Sequence, residues 1–342
     1  MTRKLCISAI ATAALLVGAC SGKAASASSA SADISTSNAD STIAVPKFNV
    51  DSAYAYVAFQ CNAGPRVPGS DSHAKTAAWI EQSLRKFGAD TVIVQRGTMP
   101  DINGKSVAIR NILAQYNPDA SERLLLLAHY DTRPWADEDP NPQAHNTPID
   151  GANDGASGVG VLLEIARQLG AQNPGYGVDI LMADAEDSGL SAPEDADEAT
   201  RARYDDSWCL GTQYFARNLP YNPANMPSAA ILLDMVGGHN AVFPREYFSA
   251  HAAPGVVQRI SEAAVKAGYA ERFPSAIGGA VNDDHLPLIA AGIPAADIIE
   301  IGHPQTQSFN PTWHTLSDNL SNIDPATLNA VGSVILTLIY NK

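Results

Sequence analysis

Residues 124–128 read Leu-Leu-Leu-Leu-Ala, an unbroken apolar run of strand length. A strand with one wet face alternates between apolar and polar residues. A run with no polar break fits a strand covered on both faces, as in a parallel sheet between two layers of helices. Residues 178–183 and 229–235, mostly apolar with one aspartate each, also read as buried strands, and 295–300 adds a further strand. Residues 90–96 and 107–116 are rich in β-formers and also read as strands. Between these runs the apolar residues change to helical spacing, over 72–87, 158–169, 210–219, 256–267 and 325–339. The first of these has a serine available as cap, and Gly88 ends it. Strands alternating with helices predict an α/β sheet covered on both sides.

The 342 residues allow one large domain or two small ones. No internal repeat and no linker appears after residue 50, so one domain spanning 45–342 is the simplest reading. Hydrophobic residues make up 45% and charged residues 17%, an ordinary globular balance. The formal net charge of −14 argues against a nucleic-acid partner, because phosphate binding needs a basic surface. Two long polar segments, 133–148 and 188–206, interrupt the pattern; loops of that length are usually functional or mobile.

The N-terminal sequence carries its own signal. Arg3 and Lys4 precede an apolar stretch, residues 5–18, too short to span a bilayer, and small residues lead into Cys20. This is the layout of a secretory signal, here residues 1–19. The cysteine after the small residues resembles a bacterial lipobox, which implies cleavage before Cys20 and a lipid on its thiol. Residues 20–44, rich in Ser and Ala, read as a flexible tether. The expected location is the bacterial envelope, anchored to the membrane through the lipid and facing the periplasm. Cys6 leaves with the signal, so Cys61 and Cys209 remain. In an oxidising compartment an even pair predicts a disulfide.

The residues that carry chemistry stand where strands end. His129 and Asp131 close the 124–128 run. A small-residue loop, Gly151-Ala152-Asn153-Asp154-Gly155-Ala156-Ser157-Gly158, opens the next helix. Asp184, Glu186 and Asp187 follow the strand at 178–183, Asp234 sits in the strand at 229–235, and Trp313-His314-Thr315 comes late in the chain. Ligands of open α/β sheets bind at the carboxyl ends of strands. Imidazole nitrogen and carboxylate oxygen are the donors a catalytic zinc accepts. Each piece alone is weak; their regular order predicts a metal site.

That order resembles the zinc aminopeptidase superfamily, over most of the chain from about residue 55. The resemblance implies a single-domain three-layer sandwich with a central mixed, mostly parallel sheet. It also implies metal ligands at His129, Asp154, Asp187, Asp234 and His314, with Glu186 as general base. A narrower likeness points to the glutaminyl cyclase branch. It rests on Asn282-Asp283-Asp284-His285-Leu286-Pro287, Gly292-Ile293-Pro294, Phe243-Pro244-Arg245-Glu246-Tyr247-Phe248 and Trp313-His314-Thr315-Leu316-Ser317-Asp318-Asn319. His129-Tyr130-Asp131-Thr132-Arg133-Pro134-Trp135 is similar to bacterial members of that branch. Such cyclases hold one zinc, through residues matching Asp154, Asp187 and His314. One departure stands out: the family generally has Glu where this chain has Asp187, one methylene shorter.

The implied reaction closes a peptide's N-terminal glutamine to pyroglutamate with release of ammonia. Glu186 would move the proton, Asp234 and Asp283 would hold the hydrogen-bond network, and Trp313 would wall the substrate side chain. Trp135 and Phe243 are further substrate-pocket candidates, with plain packing as the competing reading. His285 reads as structural. A dinuclear-zinc aminopeptidase, with His129 and Asp234 on a second metal, is the main rival. An inactive, surface-anchored peptide-binding lipoprotein is a third reading, which the presence of Glu186 and His314 disfavours. The partners expected are peptides or proteins with N-terminal Gln, and a monomer is expected.

Overall fold

The protein was analysed as a computed structural model that describes residues 43–341. These fall within one compact unit, Thr42–Lys342. The signal segment 1–19, Cys20 and nearly all of the predicted tether lie outside the described residues.

The described residues build a six-stranded sheet in the order β1-β2-β4-β3-β5-β6. The strands are β1 (Thr91–Pro100), β2 (Ser106–Tyr116), β3 (Arg123–His129), β4 (Gly177–Ala183), β5 (Ala229–Asp234) and β6 (Ala295–Ile299). β1, β2 and β4 pair antiparallel, whereas β3, β4, β5 and β6 run parallel. β3 lies at the centre, with Leu126 opposite Ile180 on one side and Ile231 on the other. The chain passes from β3 to β4 on one flank and then to β5 on the other. That reversal opens a crevice beyond the carboxyl end of β3.

The unbroken apolar runs follow from this placement. Leu124, Leu126 and Ala128 join one core with α1 (Val50–Ala63), α2 (Asp71–Lys86), α3 (Ala156–Ala171), α7 (Pro254–Ala267) and α9 (Pro325–Tyr340). Leu125 and Leu127 join a second core with α5 (Leu210–Arg217) and α8 (His285–Ala290). Successive side chains point to opposite faces, so burial on both faces requires apolar residues at every position.

Four helices were not legible in the sequence. α1 is apolar around much of its surface and lacks a clear stripe, although Asn49 caps it by accepting from Ser52 N. α4 (Glu198–Asp205) occupies part of the 188–206 segment and buries no side chain, so it leaves no apolar period. α6 (Tyr247–Ala252) and α8 are only six residues each.

The disulfide expectation is corrected. Cys61 and Cys209 are both free thiols. Cys61 lies on α1 against the first core, while Cys209 opens α5, whose Phe215 belongs to the second core. With the sheet between them, the two sulfurs lack the close Cα approach that a disulfide needs. Burial, first of all, pushes the Cys61 thiol up to about 11.

One glycine sets the helix-to-sheet distance at the site. A Cβ on Gly158, in the first turn of α3, would collide with the carbonyl oxygen of Leu233 and come within 2.9 Å of Ala128 Cβ. Gly158→Ala is therefore expected to cost about 1–3 kcal/mol by overpacking and to lower Tm by several degrees in a thermal melt. An unchanged Tm would mean that α3 is not pinned to β5.

Candidate metal and active site

The crevice gathers its charged residues from separate elements. His129 ends β3, Asp234 ends β5, and Glu186 and Asp187 follow β4. Asp154 precedes α3, and His314 arrives on a loop before α9. All six are buried. His129 Nε2 lies 3.1 Å from Asp154 Oδ1 and 3.3 Å from Asp234 Oδ1. His314 Nε2 lies 3.3 Å from Asp187 Oδ1 and 3.5 Å from Asp154 Oδ2. Asp154 thus turns one oxygen to each histidine. Two sets result, His129–Asp154–Asp234 and Asp154–Asp187–His314, and within each the donor atoms lie within 4.8 Å of one another.

The second set fits a zinc ion on chemical grounds. One neutral-capable imidazole and two carboxylates are a donor set catalytic zinc accepts, with a position left for substrate. Asp187 Oδ2 is buried with no hydrogen-bond partner, a donor atom without other employment. The backbone is held in unusual shapes here. Ala185, Cys209, Met235 and His314 all have positive φ, between 47° and 56°, although none is glycine. Such strain persists only where the surroundings enforce it.

Outer residues fix the donors. The Asp318 carboxylate accepts from the backbone N–H of Asn153 at 2.7 Å and of Asp154 at 3.0 Å. Asp131 does the same for Glu186 and Asp187, both at 3.1 Å. Arg133 Nη1 reaches Asp187 Oδ1 and donates to the carbonyls of Asp187 and Gly189. Its guanidinium also pairs with Asp137 and packs 4.8 Å from the Trp208 ring and 5.1 Å from the Trp135 ring. Asp137 lies 3.5 Å from His314 Nδ1, so Arg133 and Asp137 link both ligands. Supports of this kind orient ligands and tune them.

A pocket of about 240 Å³ opens over these residues. Its charged floor includes Asp154, Glu186, Asp234 and Asp283, and its apolar wall comprises Trp208, Met235, Val281, Ile299, Phe309 and Trp313. Trp313 stacks on His314 at 3.7 Å between ring centroids. Burial, together with the negative charges of Asp283, Asp187 and Asp284, pushes the Glu186 carboxyl well above the usual range, against the pull of His129. Burial, reinforced by Asp234, raises Asp283 to about 7. Cys209 Sγ donates to Glu186 Oε1 at 3.4 Å.

The profile of peptidase family M28 matches residues 111–339, which covers the end of β2, the strands β3 to β6 and every residue of this site. The chain belongs to peptidase family M28. Among solved structures, a glutaminyl cyclase of Bacteroides thetaiotaomicron bound to N-acetylhistamine is 44% identical to this M28 protein. Its TM-score is 0.82, over 87% of this chain and 100% of that one. A Zn-dependent exopeptidase from Parabacteroides distasonis is 47% identical, with TM-score 0.81 over 87% and 100% of the two chains. The glutaminyl-peptide cyclotransferase of Bos taurus is 23% identical over 293 residues, 80% of this chain and 77% of that one.

The sequence placed most of the site of this M28 protein. His129, Asp154, Glu186, Asp187, Asp234, Asp283 and His314 come together, and Trp313 lines the pocket. Two substrate-pocket candidates are corrected. Phe243 is buried in the first core against Phe273, and Trp135 lies beneath Arg133; neither lines the pocket. His285 is fully buried, with Nε2 3.2 Å from Glu246 Oε2, which agrees with a structural role. Trp208 was missed, because nothing in its sequence neighbourhood distinguishes a wall residue from a packed one. Arg133 and Asp318 lay inside the quoted motifs, but only the fold reveals what they hold.

Asp318→Ala removes both acceptors of the Asp154 loop. It is expected to weaken zinc binding by about 10–100-fold, read by competition against a chromogenic chelator. Wild-type affinity in the variant would remove Asp318 from the metal site.

Proposed function

We infer that this protein is a zinc-dependent glutaminyl-peptide cyclotransferase, converting N-terminal glutamine of peptides and proteins to pyroglutamate with release of ammonia. The observation that carries this reading is the coincidence of a buried acid, Glu186, with an Asp154–Asp187–His314 donor set under an aromatic-walled pocket. The likeness to glutaminyl cyclases at 44% identity supports it.

In the reaction the α-nitrogen bonds to the γ-carbon, the bond from that carbon to the amide nitrogen breaks, and ammonia leaves. Asp154, Asp187 and His314 would hold a zinc ion, which would supply Lewis-acid polarisation of the γ-carbonyl. Glu186 takes the proton from the attacking amine and delivers it to the departing nitrogen. Its raised affinity for protons suits a group that must hold one between two steps. Asp283 and Asp234 line the same floor and accept from the amine and amide nitrogens. The walls of Trp313, Trp208, Ile299 and Phe309 keep the side chain folded toward its own amine and limit competing water.

We propose one zinc per chain. The direct approach of His129 Nε2 to Asp234 Oδ1, with a hydrogen bond at 3.3 Å, supports it by engaging both residues with each other. The same two residues with Asp154 form a second donor set, and that specific geometry favours the rival reading, a dinuclear aminopeptidase.

Mass spectrometry of a Gln-initiated peptide, with and without a zinc chelator, separates the two. Loss of one ammonia with the peptide otherwise intact, abolished by chelation, is the expected result. Release of the whole N-terminal residue would make the protein an aminopeptidase. Glu186→Gln is expected to lower kcat by about 10²–10⁴-fold with zinc content retained; wild-type kcat would remove the proton role.

We further propose that the enzyme is exported and anchored by a lipid on Cys20, facing the periplasm, on the strength of its N-terminal sequence. Cys20→Ser is expected to move the mature protein from the membrane to the soluble envelope fraction. A variant that still sediments with membranes would count against the anchor.

A further inference from the structure

Next to the catalytic pocket lies a larger cleft, of about 810 Å³. That volume is in the range of ligand sites, roughly 300–1,000 Å³. The two cavities share Trp208, Ala280 and Asn282 as a common wall. Asn282 Nδ2 donates to the carbonyl of Asp205 at 3.0 Å and so ties the end of α4 to the loop that carries Asp283. The floor is apolar: Phe248 of α6, Leu286, Pro287 and Ala290 of α8, and Ala291 beyond it. Phe248 is among the exposed large hydrophobic residues. The rim carries Asp205 and Asp206, both exposed and without an ion-pair partner among the described residues. One cation, Arg217, also lines it, and its guanidinium is engaged with Gln213 Oε1 and Met99 Sδ.

Cyclisation leaves the product joined to the rest of its chain. A peptide whose first side chain fills the catalytic pocket must leave that pocket through an opening, and this cleft shares the pocket's wall. We propose that the cleft binds the residues that follow the N-terminal glutamine of the same substrate, roughly positions 2–5. This inference rests on the cyclotransferase reading and specifies its substrate. The α6–α8 floor would take apolar side chains. The free carboxylates of Asp205 and Asp206 would favour a basic side chain at the rim over an acidic one. The enzyme is therefore selective for sequence beyond its first residue, toward apolar and basic segments. Neither α4 nor α6 nor α8 supplies a ligand of the metal, so the cleft is separable from the chemistry.

The test compares glutamine amide with two pentapeptides, Gln-Leu-Ala-Lys-Ala and Gln-Leu-Ala-Glu-Ala, as substrates of the purified protein and two variants. Wild type is expected to prefer the lysine peptide over the glutamate peptide by about threefold in kcat/KM, the scale of an exposed charge pair. Ala290→Trp, which fills the cleft from α8, should cut the kcat/KM ratio of either pentapeptide to glutamine amide at least about tenfold, the scale of a filled side-chain pocket, through KM. Asp206→Lys should reverse the lysine-over-glutamate preference, and it serves even if Ala290→Trp fails to fold. Ratios unchanged in these variants, with all three substrates cyclised, would overturn the cleft assignment while leaving the cyclotransferase reading intact. A wild-type protein that cyclises none of the three would overturn both.

Discussion

The site depends on buried negative charge. Asp154, Asp187, Asp234, Glu186, Asp283 and Asp284 are all buried around the end of β3, together with two histidines. Carboxylates taken out of water without compensation are costly, and they respond by binding protons or cations. Burial, first of all, raises the proton affinities of Glu186, Asp234, Asp283 and Asp284. A divalent ion at Asp154, Asp187 and His314 answers the same need with fixed geometry. The fold supplies the means of burial: a sheet covered on both faces, with the acids projected from its carboxyl edge.

Peptidase and cyclase chemistry on such a scaffold differ by small rearrangements rather than by inventory. Asp154 presents one oxygen to His129 and one to His314, so it serves either donor set. Whether His129 and Asp234 hold each other or an ion then decides between Lewis-acid help and activated water. The positive-φ residues Ala185, Met235 and His314 bracket these groups, which limits their freedom to turn.

What was legible in the sequence, and what was not, follows from the same physics. The buried strands announced themselves because both faces are covered, and the donor order survived because every donor but His314, which sits on a loop, stands at or next to a strand or helix end. α4 was invisible because it buries nothing. Trp135 and Phe243 stand as pocket candidates with packing as the alternative, because an aromatic near a motif looks the same whether it walls a ligand or fills a core; Phe243 fills the core and Trp135 flanks Arg133. The pair Cys61 and Cys209 obeyed cysteine arithmetic and still failed, because arithmetic knows nothing of the sheet between them. Trp208 and Arg133 are far in sequence from the Asp187 they surround, Arg133 by 54 residues, and only tertiary structure brings them together.

Arg133 has one more implication. It spans from the 133–148 segment to Asp187 and packs on two indole rings, Trp135 and Trp208. The carboxylate and the loop that bears the cation are thus joined directly, through Arg133 Nη1 on Asp187 Oδ1. A chain that kept the Asp187 carboxylate but lost this guanidinium would bury an acid with one fewer counter-charge.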